Sequence, residues 1–299
     1  MVVQKLVTDS CSDLSKELLD TYGIDYCRMN TVYQEKETFA SLLWEHYTPR
    51  ALYDIMRNGE RVKTTQVPPE EFKRVFSEYL EDGCDIVYIG CSSKQSGSVG
   101  TAQVIAKKLL DDHPDARIAC IDSLNASLGE GMLAIRAAEL VRAEKTFDEV
   151  VEGVLSARKK VNQFVTVHSL DTLKRAGRVK ASAAFLGNLM GVKPILISDA
   201  DGEQVPVKKV KGRANSFKEL VALLKEAMID PEEQCVYLAH ADCSDEEIAL
   251  LKKMIAEAIP CRDIVTVYIG PIIGASIGPD AVGIWGFGKE VTFRTEGTK

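Results

Sequence analysis

Short apolar and β-branched runs alternate along the chain with longer stretches in which apolar residues recur at every third or fourth position. Alternation of this kind is what βα units around mainly parallel sheets produce. It predicts strands over 5–8, 25–33, 86–90, 116–121, 164–167, 194–197, 204–210, 235–239 and 263–268. Helices are predicted over 13–22, 69–81, 97–111, 129–142, 146–160, 216–228 and 244–258. Ser12, Thr146 and Ser244 stand where helix caps are needed, and Glu247 occupies the capping-box position after Ser244. Beyond Tyr268 the pattern breaks: Gly270, Gly274, Gly278, Gly283, Gly286 and Gly288 crowd a short span with Pro271 and Pro279. Such density predicts turns and close backbone approach, often where a loop lines a site.

The chain has 299 residues, more than one core comfortably fills, so two domains are expected. No Pro/Gly/Ser-rich linker marks the join, and the division is placed in the helix over 146–160, giving an N-terminal α/β domain 1–155 and a C-terminal α/β domain 156–299. Hydrophobic residues at 45% and charged residues at 27% are the balance of a soluble protein with a sizeable core. A net charge of −7 supplies no basic face for phosphates, so nucleic acid is not an expected partner. No apolar run approaches the roughly 20 residues that cross a bilayer, and the N-terminus leads straight into a strand. A cytoplasmic protein with at most transient membrane contact is therefore expected. The eight cysteines are scattered without a CxxC pair, and the four histidines lie far apart, so reduced thiols and no metal are expected.

Three hydroxyl-rich loops follow predicted strands, where ligands bind in open parallel sheets. Thr8-Asp9-Ser10-Cys11-Ser12-Asp13 runs into a helix whose N-terminus favours an anion; Ser12 and Asp13 read as caps, leaving Asp9 and Ser10 as candidates. Cys91-Ser92-Ser93-Lys94-Gln95-Ser96-Gly97-Ser98 offers four hydroxyls and a glycine amide where a single cap needs one, a cradle for a carboxylate or simple phosphate. Its candidates are Ser92, Ser93, Ser96 and Gly97. Asp122-Ser123-Leu124-Asn125-Ala126-Ser127 repeats the theme more weakly, with Ser123 the candidate and turn-making the simpler reading. Thr64-Thr65-Gln66-Val67-Pro68-Pro69 leads into a helix that proline starts well. Gly274-Ala275-Ser276-Ile277-Gly278 fits the GxSxG nucleophile elbow, but the last histidine, His240, precedes Ser276, which reverses the order a hydrolase of that type requires. Neither GxxxxGK[ST] nor a strand-borne GxGxxG is present, so no nucleotide cofactor is expected.

Taken in order, these segments resemble the DegV family, whose fatty-acid-binding members are called FakB. The family's T-D-S-x-x-D-L is matched by Thr8 to Leu14, its T-[ST]-Q-P by Thr64-Thr65-Gln66 with Val67 intervening, its S-S-x-L-S-G-T by Ser92 to Ser98, and its D-S by Asp122-Ser123. Its L-x-x-L-x-x-G-G-R-I resembles Leu170 to Val179, and its G-x-L-[LM]-x-x-K-P-I-L resembles 187–196. One departure stands out: the closing G-[AS]-H-x-G-P-G has become Gly274 to Asp280, with Ser276 for the histidine and Asp280 for the last glycine. A serine donates one hydrogen bond and brings no positive charge, and an Asp280 facing the site would repel a carboxylate.

The resemblance implies two α/β domains with the ligand between and within them: an acyl chain sealed inside one and its carboxylate held between the two. The implied ligand set is Asp9, Ser10, Thr64, Thr65, Ser92, Ser93, Ser96, Gly97, Ser123, Arg178 and Ser276. Arg178 matches the family arginine near the head group, and the basic run ending at Arg213 matches a region near the kinase, with a lysine-protected strand edge as the alternative. The implied function is a carrier that catalyses nothing itself, uses no cofactor beyond its bound lipid, and presents the long-chain fatty acid to a separate fatty-acid kinase for acyl-phosphate formation and phospholipid synthesis. A carrier or sensor of another amphipathic anion, or a serine hydrolase using Ser276, are the alternatives.

Overall fold

The computed structural model describes residues 2–180, 185 and 191–295. In chain order its elements are β1 (Gln4–Asp9), α1 (Lys16–Tyr22), β2 (Ile24–Cys27), β3 (Asn30–Tyr33), β4 (Lys36–Phe39), α2 (Pro49–Arg57), β5 (Lys63–Thr65), α3 (Pro69–Glu81), β6 (Asp85–Gly90), α4 (Ser98–Asp112), β7 (Ile118–Asp122) and α5 (Leu128–Arg142). There follow α6 (Phe147–Ala157), β8 (Val161–Thr166), α7 (Asp171–Ala176), β9 (Val192–Ser198), β10 (Gln204–Lys211), α8 (Arg213–Ala227), β11 (Val236–His240), α9 (Asp245–Ala258), β12 (Ile264–Tyr268), α10 (Pro271–Ile277) and β13 (Val282–Phe287).

Two large sheets organise these elements. The first, in order β2-β1-β6-β7, is parallel throughout, as the alternating pattern predicts. The second, β10-β9-β8-β13-β11-β12, is mixed: only β11 and β12 run parallel, and the other four pairings are antiparallel. A small antiparallel sheet, β4-β3-β5, stands beside them. Every position of β6 is buried, the signature of a central strand covered on both faces. Helices α3 and α4 cover one face of the first sheet and α8 one face of the second. Helix α5 lies between the sheets, touching β1, β2 and β6 on one side and β8 and β11 on the other. Its sequence explains the position, because ten of its fifteen residues are buried, including three glycine or glutamate positions, and only a narrow edge of Arg136, Glu139 and Arg142 meets water. One continuous core therefore runs from Leu6, Val87 and Ile89 through Leu128, Met132 and Leu133 to Val165, Leu196 and Trp285.

Several expectations needed adjustment. The strand predicted over 25–33 breaks at Arg28 and Met29, whose amides go to side chains, Glu71 Oε1 at 3.2 Å and Ser10 Oγ at 3.0 Å, in place of a neighbouring strand. The helix predicted from 13 starts three residues later, because Asp13 sits at φ 53° and Ser15 supplies the cap, accepting from the Leu18 amide. Thr146 and Glu149 form a complete capping box at the start of α6. The glycine-rich span after Tyr268 holds regular elements, α10 and β13, where loops were predicted. Its glycines serve close approach within them: a Cβ at Gly274 would stand 2.5 Å from Tyr53 Oη, and one at Gly283 would stand 2.5 Å from the Trp285 ring. Of the family-like segment 187–196, residues 187–190 lie outside the described residues. Among the described residues, no helix is long and apolar enough to cross a membrane.

Candidate functional site

The loops at the C-terminal edge of the parallel sheet are held together by their own polar groups. Asp9 is fully buried; Oδ1 accepts from the Cys11 amide at 2.9 Å, and Oδ2 accepts from the Cys91 amide at 3.2 Å and Tyr88 Oη at 2.7 Å. Burial pushes the Asp9 carboxyl up despite these donors. Ser10 Oγ donates to Ala40 O and accepts from the Met29 amide, Ser92 Oγ donates to Gly202 O, and Ser123 Oγ donates to Asn125 O. Asp9, Ser10, Ser92 and Ser123 thus serve loop architecture and do not line the cavity described next. Ser93 is exposed, stands outside the lining as well, and anchors its loop by an amide hydrogen bond to Asp122.

The other six candidates converge. Thr64, Thr65, Ser96, Gly97, Arg178 and Ser276 all line one cavity of about 190 Å³ between the two large sheets. By the same measure a water needs roughly 10–15 Å³, so the space admits a ligand of roughly a dozen or more non-hydrogen atoms. Its walls grade from greasy to polar. The deep end is formed by Cys11, Met29, Cys91, Val165, Leu196 and Trp285, all buried, with the buried polar groups of Ser127 and Gln163 among them. Ile269, Ile272, Ile273 and Ile277, on and just before α10, add an apolar side. Thr65, Gln66, Gly97 and Arg178 are exposed and mark the mouth.

Local structure puts each mouth residue in place. Pairing of β5 with β3 sets Thr64 opposite Thr31 and Thr65 opposite Asn30. Gly97 precedes the first turn of α4, and a side chain there would collide with Gln66 Oε1. Ser96 Oγ lies 2.9 Å from Ser98 Oγ, whose residue begins that helix, so hydroxyls and amides gather at its N-terminus. Arg178 follows Gly177, a left-handed residue at φ 70° that ends α7, and its Nε donates to Gln95 O at 3.2 Å. A second hollow adjoins it at Thr64, Arg178 and Ser276 and is rimmed by Arg61, Lys63 and Arg175, with Glu60 the one carboxylate in its lining among the described residues.

Ser276 belongs to the last turn of α10 and not to a strand-to-helix elbow of the GxSxG type. Asp280 is turned from the cavity: its Oδ1 accepts from Arg57 Nη2 at 2.7 Å, and Arg57 Nη1 also donates to Asp242 Oδ2 at 2.7 Å. Those carboxylates hold the Arg57 guanidinium above its ordinary range, even though burial pulls the other way. The aspartate in the family's glycine position thus pairs with a local arginine, and its charge is compensated. Arg213 is likewise engaged, with Glu247 at 2.8 Å and Asp280 O at 2.7 Å. The lysines before it stand on β10, the edge strand of the second sheet.

Sequence reading missed part of the wall. Gln163 and Gln204 line the cavity in a relay in which Trp285 Nε1 donates to Gln163 Oε1 and Gln163 Nε2 donates to Gln204 Oε1 at 2.6 Å. The signal was weak, because Gln163 follows Asn162 in β8 and lies just outside the strand predicted over 164–167. Arg61, Lys63 and Arg175 carried none, since their meeting depends on α7 and α10 folding against the small sheet.

Known proteins resemble this chain over nearly its whole length. The model of the DegV family, described as an uncharacterised protein family, matches residues 4–288. A DegV domain-containing protein of Clostridium perfringens is 35% identical over 95% of this chain and 97% of its own length. One from Caldanaerobacter subterraneus is 30% identical over 94% and 97%. Among solved structures, a fatty-acid-binding DegV family protein of Thermus thermophilus has a TM-score of 0.85 at 26% identity over 96% of this chain and all of its own. DegV of Bacillus subtilis, a fatty acid binding protein, has a TM-score of 0.82 at 25% identity over 97% of this chain and all of its own. The chain therefore belongs to the DegV family.

Proposed function

We propose that this protein carries a long-chain fatty acid, with the acyl tail in the cavity between the sheets and the carboxylate at its mouth. The observation that carries this reading is the gradient of the lining, from buried Leu196 and Trp285 to the hydroxyls of Thr65 and Ser96, the Gly97 amide and Arg178. Burying each methylene is worth about 0.8 kcal/mol, so a long tail brings on the order of 10 kcal/mol before ordering costs. The carboxylate loses hydration as it is drawn in, and charge-assisted hydrogen bonds from the mouth offset that loss. Fatty-acid binding in the Thermus and Bacillus relatives supports the same assignment.

The mouth draws on both expected domains, 1–155 and 156–299, with Thr64, Thr65, Ser96 and Gly97 from one and Arg178 and Ser276 from the other. Such a carrier presents its acid end to a separate fatty-acid kinase in the cytoplasm and leaves the chemistry to that partner. The basic rim of Arg61, Lys63 and Arg175 suits a surface where phosphoryl groups approach a carboxylate. The test is mass spectrometry of organic extracts from protein purified from lipid-replete cells, where about one fatty acid per chain is expected. Protein that stays empty, and also fails to take up fatty acid from vesicles, overturns the reading.

A further inference from the structure

Two of the eight cysteines scattered in sequence meet at the floor of the cavity. The Sγ atoms of Cys11 and Cys91 and a carboxylate oxygen of Glu130 lie within 4.8 Å of one another, and all three residues are buried. Cys11 Sγ is also 3.5 Å from Met29 Sδ. Glu130 is 0% exposed; its Oε1 accepts from Thr8 Oγ1 at 2.8 Å, while Oε2 has no hydrogen-bond partner among the described residues. An unsatisfied buried carboxylate oxygen is costly and needs an explanation of its own. The two cysteine loops are fixed by a shared clamp, since Asp9 accepts from both the Cys11 and the Cys91 amides.

We propose that Cys11, Cys91 and Glu130 bind a single Zn(II) ion in the cavity floor, with the Met29 thioether beside it. Tetrahedral zinc with thiolate and carboxylate ligands places its donor atoms about 3.5–3.8 Å apart, so the group must contract by only about 1 Å. The carboxylate among the donors favours Zn(II) over Cu(I), which is served by sulfur alone. Binding releases the two thiol protons and any proton on Glu130, leaving two thiolates and a carboxylate against the divalent charge. Cys11 and Cys91 line the cavity, so an ion reaches them through the same mouth as the lipid.

The test uses the full chain, stripped of lipid and metal and kept reduced with a phosphine, titrated with Co(II) as an optical stand-in. A near-ultraviolet sulfur-to-cobalt charge-transfer band is expected, saturating at one ion per chain and bleached by Zn(II). Cys11→Ala with Cys91→Ala should abolish the band, and Glu130→Gln should weaken Zn(II) affinity by about tenfold or more. Cys235→Ser with Cys261→Ser, which removes two half-buried thiols elsewhere, should leave it intact. Absence of a band in the unaltered chain overturns the proposal, as does a band that survives loss of Cys11 and Cys91. Should the Cys11, Cys91 variant fail to fold, the unaltered chain and the Cys235, Cys261 variant decide: loss of the band in the latter assigns the ion elsewhere. The readout needs no lipid, so its failure and failure of the fatty-acid reading are told apart.

Discussion

Asp13 joins two segments 257 residues apart by accepting the amide of Gly270 at 2.8 Å, and its other oxygen takes the Ser127 hydroxyl at 2.5 Å. Gly270 caps α10, so this buried carboxyl ties the loop after β1 to the helix that walls the cavity. Burial raises its pKa to about 7, against the lowering effect of both hydrogen bonds. An unfolded chain ionises the same group near 3.8. Between those values the folded state holds a proton that the unfolded state has lost, so raising the pH through this window costs stability. The full penalty, on the order of 4 kcal/mol, is reached above about pH 7. Asp13→Asn keeps an acceptor for Gly270 and tolerates the left-handed backbone. Melting temperatures measured from pH 5 to pH 8 should fall less in the variant than in the parent; parallel curves would show that Asp13 does not titrate there.

Ser96→Ala removes a hydroxyl at the cavity mouth, and Ser93→Ala removes one from an exposed position outside the lining. A hydrogen bond to a charged group is worth about 1.5–3 kcal/mol, so fatty-acid affinity should drop about tenfold or more for Ser96→Ala and stay unchanged for Ser93→Ala. Displacement of a fluorescent fatty acid measures both. Equal losses would move the head group away from Ser96.

How much of this was legible in the sequence can be judged at these two serines. Both stand in one loop with the composition of an anion cradle, and the family likeness gave them equal standing; only the backbone path decides that Ser96 faces the cavity and Ser93 faces solvent. The strands of the first sheet and most helices followed from periodicity, β6 above all, every position of which is buried. Period alone says nothing about strand direction, which is why the mixed second sheet was not foreseen. Helix α10 and strand β13 were hidden because Gly274 answers to Tyr53 and Gly283 to Val165, partners remote in sequence.

Ala126 is a small residue on the cavity wall, buried where the third loop leads towards α5. Ala126→Leu adds three carbons to that wall and should shorten the bound acyl chains by roughly two to three methylenes. Chain-length profiles of extracted lipid test this. An identical profile would place the tail elsewhere.

Arg57 holds both Asp242, 7% exposed, and Asp280. Arg57→Ala leaves Asp280 without its arginine and Asp242 with Arg50 alone, and should cost about 1–2 kcal/mol, lowering the melting temperature by on the order of 3 °C. Adding Asp280→Gly, which restores the residue the family resemblance expects, should recover part of the loss. No recovery would show that the pair does not explain the aspartate.

Helix α5 turns only a narrow edge, Arg136, Glu139 and Arg142, to solvent, because each large sheet claims one side of it. Prising the sheets apart to lay a hydrocarbon sideways between them would wet both flanks of that helix at once. A flexible acyl chain threading lengthwise from the rim, methyl end leading, avoids that penalty and arrives with its acid group outermost, already facing whatever molecule is to act on it.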